Sequence, residues 1–174
     1  ESSRRLLEKN LRTAAVSGAA TRALAREDAG DLALIGSGVQ AETHLEAMLA
    51  VRHLRRVRVW SATAERCRSF ARRMSARHGV EVEVMPGART AVEGADLICT
   101  TTSAREPVLL GDWIADGAHI NAVGACFPTA RELDAAAVQR SRLIVDRRES
   151  ALAEAGDFLL ARAEGAVTDA HIVG

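Results

Sequence analysis

The residues of this chain best suited to chemistry are Gly36-Ser37-Gly38-Val39-Gln40-Ala41. They follow a short apolar run, residues 32–35, and an amphipathic helical pattern starts directly behind them. Strand, glycine turn and helix in that order form a seat for the pyrophosphate of a dinucleotide. Gly36 takes the tight turn, and Gly38 leaves the backbone bare so that phosphate oxygens can approach it. Ala41 is small enough for the helix to close on the sheet. The first N–H groups of that helix, with the positive end of its dipole behind them, then face the anion. Ser37, Val39 and Gln40 line the same turn and are candidate cofactor contacts. A bare Gly-x-Gly-x-x-Ala also suits methyltransferases and flavoproteins, so its neighbours must decide.

A second signal belongs at the end of the next strand. NAD sites commonly place Asp or Glu there, about twenty residues after the glycines, to hold the adenosine ribose. This chain reads Trp60-Ser61-Ala62-Thr63-Ala64-Glu65-Arg66, with no carboxylate directly after the strand. Ser61 and Thr63, flanking Ala62, offer hydroxyls to a 2′-phosphate, and Arg66 lies one helical turn on to pair with it. The pattern favours NADP(H), with NAD(H) as the alternative. A plainer account is that Ser61 or Thr63 caps the following helix and Arg66 is solvated.

Further along, Thr100-Thr101-Thr102-Ser103 ends an apolar run, where hydroxyls face a bound ligand or satisfy local backbone groups. His119-Ile-Asn-Ala-Val-Gly124 reads as a strand ending in a glycine turn. His119 lies early in it, away from the ligand end, and is read as a core or surface histidine rather than a base. Asp146-x-x-Glu149 has the form of a carboxylate pair but is better explained as a helix cap, with Asp at the N-cap and Glu at N3. Cys67 is read as a core residue on a helix face.

The elements that must position these groups follow from periodicity. Residues 1–30 read as a helix that carries Arg12 and ends at Ala29-Gly30. Strands are expected at 32–35, 56–60, 80–85, 96–100, 118–123 and 142–145. Helices are expected at 39–52 and 64–78, with shorter helical turns at 112–114, 134–140 and 147–155. Strands alternating with helices imply an α/β doubly wound parallel sheet, a three-layer α/β/α Rossmann fold with an N-terminal helix. Three parts are expected: a linking helix (1–30), the NAD(P)-binding domain (31–155) and a C-terminal tail (156–174).

Composition excludes other classes. At 174 residues, 48% hydrophobic and 26% charged, the chain suits one α/β domain. Its formal net charge of +0 disfavours a nucleic-acid surface or a polybasic membrane patch. Aromatics at 3% leave no base-stacking platform for single strands. No apolar run is long enough to span a bilayer. Cys67, Cys99 and Cys126 show neither metal-ligand spacing nor a disulfide framework, so no metal is expected and the reducing cytoplasm is the expected location.

Taken together, the motifs resemble the ornithine cyclodeaminase/mu-crystallin family. The resemblance is carried by Leu11-Arg-Thr-Ala-Ala-Val-Ser-Gly-Ala-Ala-Thr-Arg-Ala-Leu-Ala25, and by Gly36-Ser-Gly-Val-Gln-Ala41 with His44. Next come Thr102-Ser-Ala-Arg-Glu-Pro107, Gly117-Ala-His-Ile-Asn-Ala-Val-Gly124 and Pro128-x-x-Arg-Glu-Leu133. Val145-Asp146 and Gly156-Asp157 complete the series. The order is right, and nearly all of the chain is covered.

The resemblance implies an NAD(P)-dependent oxidoreductase acting on small amino or imino acids. Family members are about twice this long, so the chain is expected to be the cofactor domain. The dimerisation and substrate-binding domain, with a substrate-holding lysine and a further arginine, is then expected outside it, and the full-length protein to be a homodimer. Arg12 matches a family arginine that reaches the cofactor pyrophosphate and the substrate carboxylate, a task suited to a bidentate guanidinium. Val39 and Gln40 carry over as cofactor contacts, as do Thr102, Val123 and Gly124; Ser103 and Cys126 are further candidate contacts beside them.

Cys126 stands where ornithine cyclodeaminases place a proton-transferring aspartate. A thiol is a poor substitute for a carboxylate. The resemblance is therefore closer to mu-crystallin and ketimine reductase-like members, with hydride delivered to an imine carbon. Conversion of ornithine to proline and ammonia is the alternative enzyme activity. Binding of NADP(H) or a small ligand without turnover is the alternative outside catalysis, and it is the expected behaviour of this segment by itself.

Overall fold

In β1 (Asp31–Ile35), the four residues from Leu32 onward are fully buried with no alternation. That is the pattern of a central parallel strand covered on both faces. In the computed structural model, which describes residues 2–174 and their side chains from residue 8 onward, β1 lies in the middle of a five-stranded parallel sheet of order β3-β2-β1-β4-β5. The other strands are β2 (Arg56–Trp60), β3 (Val82–Val84), β4 (Leu97–Thr100) and β5 (His119–Ala122).

The helices are α1 (Ser2–Leu24), α2 (Val39–Val51), α3 (Ala64–His78), α4 (Ala88–Val92), α5 (Ala135–Arg140), α6 (Arg148–Glu154) and α7 (Gly156–Ala163). Short 3-10 turns occupy Gly111–Trp113 and Asp169–His171.

Two cores sandwich the sheet. On one face Leu32, Leu34, Val57, Val59, Leu97 and Cys99 pack with Leu45 and Met48 of α2 and with Phe70 and Met74 of α3. On the other, Ala33, Ile35 and Ile98 pack with Val92 of α4, Val138 of α5 and Phe158 of α7. Each fully buried large apolar side chain contributes about 1.5–3 kcal/mol relative to exposure. The expected three-layer Rossmann fold is therefore present. The tail beyond residue 155 joins this second core through Phe158, Ala161, Val167 and Ile172.

Three expectations need correction. Residues 142–145 do not form a sixth sheet strand. Leu143 makes an isolated parallel bridge with Ile172, and Val145 N–H donates to Gly174 O at 3.0 Å, so the tail takes the edge hydrogen bonds a sheet strand would use. The Asp146/Glu149 cap does not form either. Helix α6 starts one residue late, with Arg147 at the N-cap and no side-chain cap, and Glu149 turns back to Arg147 at 3.4 Å.

Finally, α1 ends at Leu24 rather than near Gly30. The Arg52 guanidinium donates to the carbonyls of Thr21 and Ala25, both at 2.9 Å, and so satisfies the end of the helix from another element.

Register aligns the carboxyl ends of the strands. Ile35 pairs with Trp60 on one side and Thr100 on the other, and Thr100 pairs with Ala122. The strand order reverses between β1 and β4, which opens a crevice outside these four residues, the usual ligand position in such sheets.

Candidate functional site

The glycine turn occupies one side of that crevice. Gly36 has φ of +114°, and a Cβ there would lie 2.7 Å from the Thr101 hydroxyl oxygen and 2.8 Å from the Thr101 carbonyl. Both backbone sign and space therefore demand glycine. Gly38 differs: it is the N-cap of α2, no side chain caps the helix, and a Cβ there would meet nothing within 4 Å. The first amide of α2 to bond back within the helix is that of Glu42, to Gly38 O at 3.2 Å. The N–H groups of Val39, Gln40 and Ala41 thus precede the helical ladder, directly behind the open space at Gly38, an arrangement that suits an anion.

Helix α1 is pinned against this turn. Asn10, only 5% exposed, accepts from Gln40 Nε2 at 3.0 Å, while the Gln40 Oε1 atom is buried without a partner. His44 is fully buried, and burial lowers its proton affinity. Its Nδ1 contacts the Gln40 carbonyl at 2.7 Å, which as an acceptor requires Nδ1–H; its Nε2 then accepts from the Ser17 hydroxyl at 3.0 Å. Asn121 of β5 adds a donor to the Thr21 hydroxyl at 3.0 Å. These bonds fix the helix that carries Arg12, whose side chain is exposed and has no ion-pair partner among the described residues.

The end of β2 meets the turn through hydroxyls. Ser37 donates to Ser61 Oγ at 2.9 Å, and Ser61 donates onward to Thr63 O at 3.3 Å. Thr63 occupies the N-cap position of α3 but makes no side-chain cap bond, so the capping account fails for both hydroxyls. Ala62, Thr63 and Arg66 are exposed beside them. The structure therefore brings Ser37, Ser61 and the start of α3 together.

At the ends of β4 and β5 the hydroxyls divide. Thr101 is used locally, its hydroxyl donating to Ile35 O at 3.2 Å, and Thr102 Oγ1 accepts the Ala104 amide at 3.1 Å. Ser103 is exposed. Val123 N–H continues the β4 ladder to Thr100 O at 3.0 Å. His119 sits at the opposite end of β5, partly buried, with burial lowering its proton affinity. Cys126 is exposed and donates to Val123 O at 3.3 Å. Partial desolvation pushes its thiol up, and Glu154, Glu132 and Asp157 add to this against the charge of Lys9. A thiol held protonated is neither a base nor a nucleophile at neutral pH.

Two residues that sequence reasoning left without a role organise this end. Glu132 is 0% exposed, and its two oxygens accept the peptide N–H groups of Thr102 at 2.5 Å and Gly124 at 2.6 Å. A Cβ on Gly124 would fall 2.5 Å from the Glu132 carboxyl carbon and 2.2 Å from Thr102 O, so the carboxylate lies flat against glycine backbone. Asp157, at the start of α7, accepts the N–H groups of Glu132 and Leu133 at 2.7 and 2.9 Å. Burial pushes Asp157 up to about 6 and raises Glu132 as well; peptide donors oppose the first shift, and the Thr102 hydroxyl and peptide donors oppose the second. The only sequence signals were Pro128-x-x-Arg-Glu-Leu133 and Gly156-Asp157, which mark the family without naming a partner.

The crevice thus offers amide donors on one flank, hydroxyls and Arg66 at its far end, and a rigid peptide pair at β4 and β5. Among the described residues no group of three or more His, Cys, Asp or Glu side chains is placed to hold a metal ion. No described helix is long and apolar enough to cross a membrane.

The chain is similar to several known proteins. The mouse (Mus musculus) ketimine reductase mu-crystallin is 44% identical over 153 residues, covering 88% of this chain and 48% of that protein. A delta(1)-pyrroline-2-carboxylate reductase of Bacillus cereus is 38% identical over 156 residues, covering 89% and 48%. The solved structure of the Thermococcus litoralis delta(1)-pyrroline-2-carboxylate reductase, in complex with NADH and L-proline, superposes with a TM-score of 0.92. It is 41% identical, with 94% of this chain and 51% of that one covered. The chain spans about half the length of the curated relatives it matches. The family model for ornithine cyclodeaminase/mu-crystallin proteins matches residues 6–173, and the chain belongs to that family.

Proposed function

We propose that this chain forms the dinucleotide seat of an NAD(P)H-dependent oxidoreductase that reduces the C=N bond of a small cyclic or open-chain imino acid. The single observation that carries this reading is the N-terminus of α2: uncapped, preceded by Gly38 with open space at its Cβ position, and set at the strand-order reversal of a parallel sheet. In this reading the amides of residues 39–41 hold the pyrophosphate. Ser37, Ser61, Thr63 and Arg66 hold the adenosine end, with Ala62 beside them, and Thr102, Ser103, Val123, Gly124 and Cys126 border the nicotinamide end. Arg12 serves the pyrophosphate and the substrate carboxylate. When bound, the nicotinamide supplies the hydride.

The relatives named above support the chemistry, since they are reductases of ketimines and of a cyclic imine. Cys126 supports imine reduction over cyclodeamination, because a protonated thiol cannot replace a carboxylate in proton transfer. The exposed Arg66 and the lack of a carboxylate directly after β2 favour NADP(H). Homodimeric assembly of the full-length protein and a cytoplasmic location, which suits three free cysteines, complete the reading.

The test has two parts. Calorimetric titration of NADPH against NADH is expected to give tighter NADPH binding; equal or tighter NADH binding removes the NADP(H) assignment. A panel of cyclic and open-chain imino acids with the full-length protein is expected to consume NAD(P)H in step with amino-acid product. Conversion of ornithine to proline without net change in NADH would overturn the reductase.

A further inference from the structure

Glu132 accepts from two peptides that belong to different strand ends, Thr102 after β4 and Gly124 after β5. Two N–H donors converge on one side chain, so both of its terminal atoms must be acceptors. Only a carboxylate meets that need; the amide of glutamine has one acceptor and one donor. The carboxylate is fully buried, and no cation pairs with it among the described residues. Its neighbour Arg131 points elsewhere and bonds Glu164 at 2.6 Å. The charge is therefore met by the two peptide dipoles and by the Thr102 hydroxyl beside them, not by a cation.

Burying an uncompensated charge is costly. The fold nevertheless braces it. Asp157 holds the backbone amides of Glu132 and Leu133, and Glu132 O accepts the N–H groups of Val108 and Leu109 at 2.8 and 2.9 Å. The Gly124 backbone lies directly against the carboxyl group, with no room for a side chain between them.

We infer that Glu132 is a positioning residue that sets the spacing of the Thr102 and Gly124 peptides, and that its negative charge behind the β4–β5 end of the crevice favours the oxidised, cationic nicotinamide over the reduced, neutral one. This rests on the dinucleotide reading above. Lys9, Glu154 and Asp157 also act on Cys126 at this end, but Glu132 is the charged group bonded directly to the Thr102 and Gly124 peptides, and it is the one assigned the asymmetry between the two redox forms.

The test measures dissociation constants for the oxidised and reduced cofactor separately, in the full-length protein and its Glu132→Gln variant. The expected result is a loss of about tenfold for the oxidised form, a smaller loss for the reduced form, and an affinity ratio shifted at least several-fold. Equal losses for both forms, or no change in either, overturn the inference. Glu132→Asp keeps the charge and shortens the reach. It is expected to weaken both forms while keeping their ratio, and wild-type affinities in that variant equally overturn the positioning role. If the wild-type protein binds neither form, the dinucleotide reading itself has failed; if it binds both and the ratio is insensitive to Glu132→Gln, only this inference has.

Discussion

Asp157 accepts the backbone N–H of Glu132 at 2.7 Å, so one half-buried carboxylate seats the peptide of a fully buried one. Burial drives the Asp157 carboxyl up to about 6. Its folded value thus lies above its unfolded one, and the folded protein binds the extra proton between about pH 4 and pH 6. Stability from this group is fully present below that window and is lost as pH rises through it. Asp157→Asn keeps an acceptor for the two amides and cannot titrate. Urea unfolding from pH 4 to 7 is expected to show wild type losing on the order of 1–3 kcal/mol relative to the variant. His44, whose proton affinity is lowered by burial, acts in the opposite sense but is common to both proteins and cancels in the difference. Parallel curves for the two proteins would count against the half-buried, titrating Asp157.

Gly38 separates folding from binding. Its φ of −90° suits any residue, and a side chain there meets open space. Gly38→Val is expected to unfold within a few degrees of wild type, yet to weaken dinucleotide binding at least about tenfold, equivalent to roughly 1.4 kcal/mol. Undiminished affinity by calorimetry would remove the α2 N-terminus from the site.

Gly124 is constrained from the opposite direction. A methyl group there must displace both Thr102 O and the Glu132 carboxyl. Overpacking of this kind costs about 1–3 kcal/mol, and breaking a bond to the buried charge adds to it. Gly124→Ala is therefore expected to lower the unfolding midpoint by several degrees and to weaken cofactor binding as well. A fully stable variant would mean that the two strand ends move apart at little cost.

Arg66 is the residue proposed to discriminate between the cofactors. It is exposed and sits on the first turn of α3, so its removal leaves the core intact. Arg66→Ala is expected to reduce NADPH affinity about tenfold, within the range for a charge-assisted contact to phosphate, while NADH affinity stays unchanged. A matched loss for both cofactors would place the arginine away from the 2′-phosphate.

The order of elements was legible because it depends on local patterns. The unbroken apolar run at 32–35, the period of Cys67, Phe70, Ala71 and Met74, and the glycine turn each announce their element without any distant partner. The ends of elements were less legible. Residues 142–145 have strand composition, but their hydrogen bonds go to the tail, and α1 stops where Arg52 reaches its carbonyls. Both outcomes depend on a segment about thirty residues away, which periodicity does not register.

The sequence by itself determined the fold class, the family, and the place of the glycine turn, because a glycine turn between strand and helix is a local requirement of backbone geometry. Only the tertiary structure decided what Glu132 and Asp157 do. Their donors are the amides of Thr102, Gly124, Glu132 and Leu133, and a backbone amide has no residue type to betray it. A buried carboxylate is recognised by what surrounds it, and those surroundings exist only once β4, β5 and α7 have been brought together.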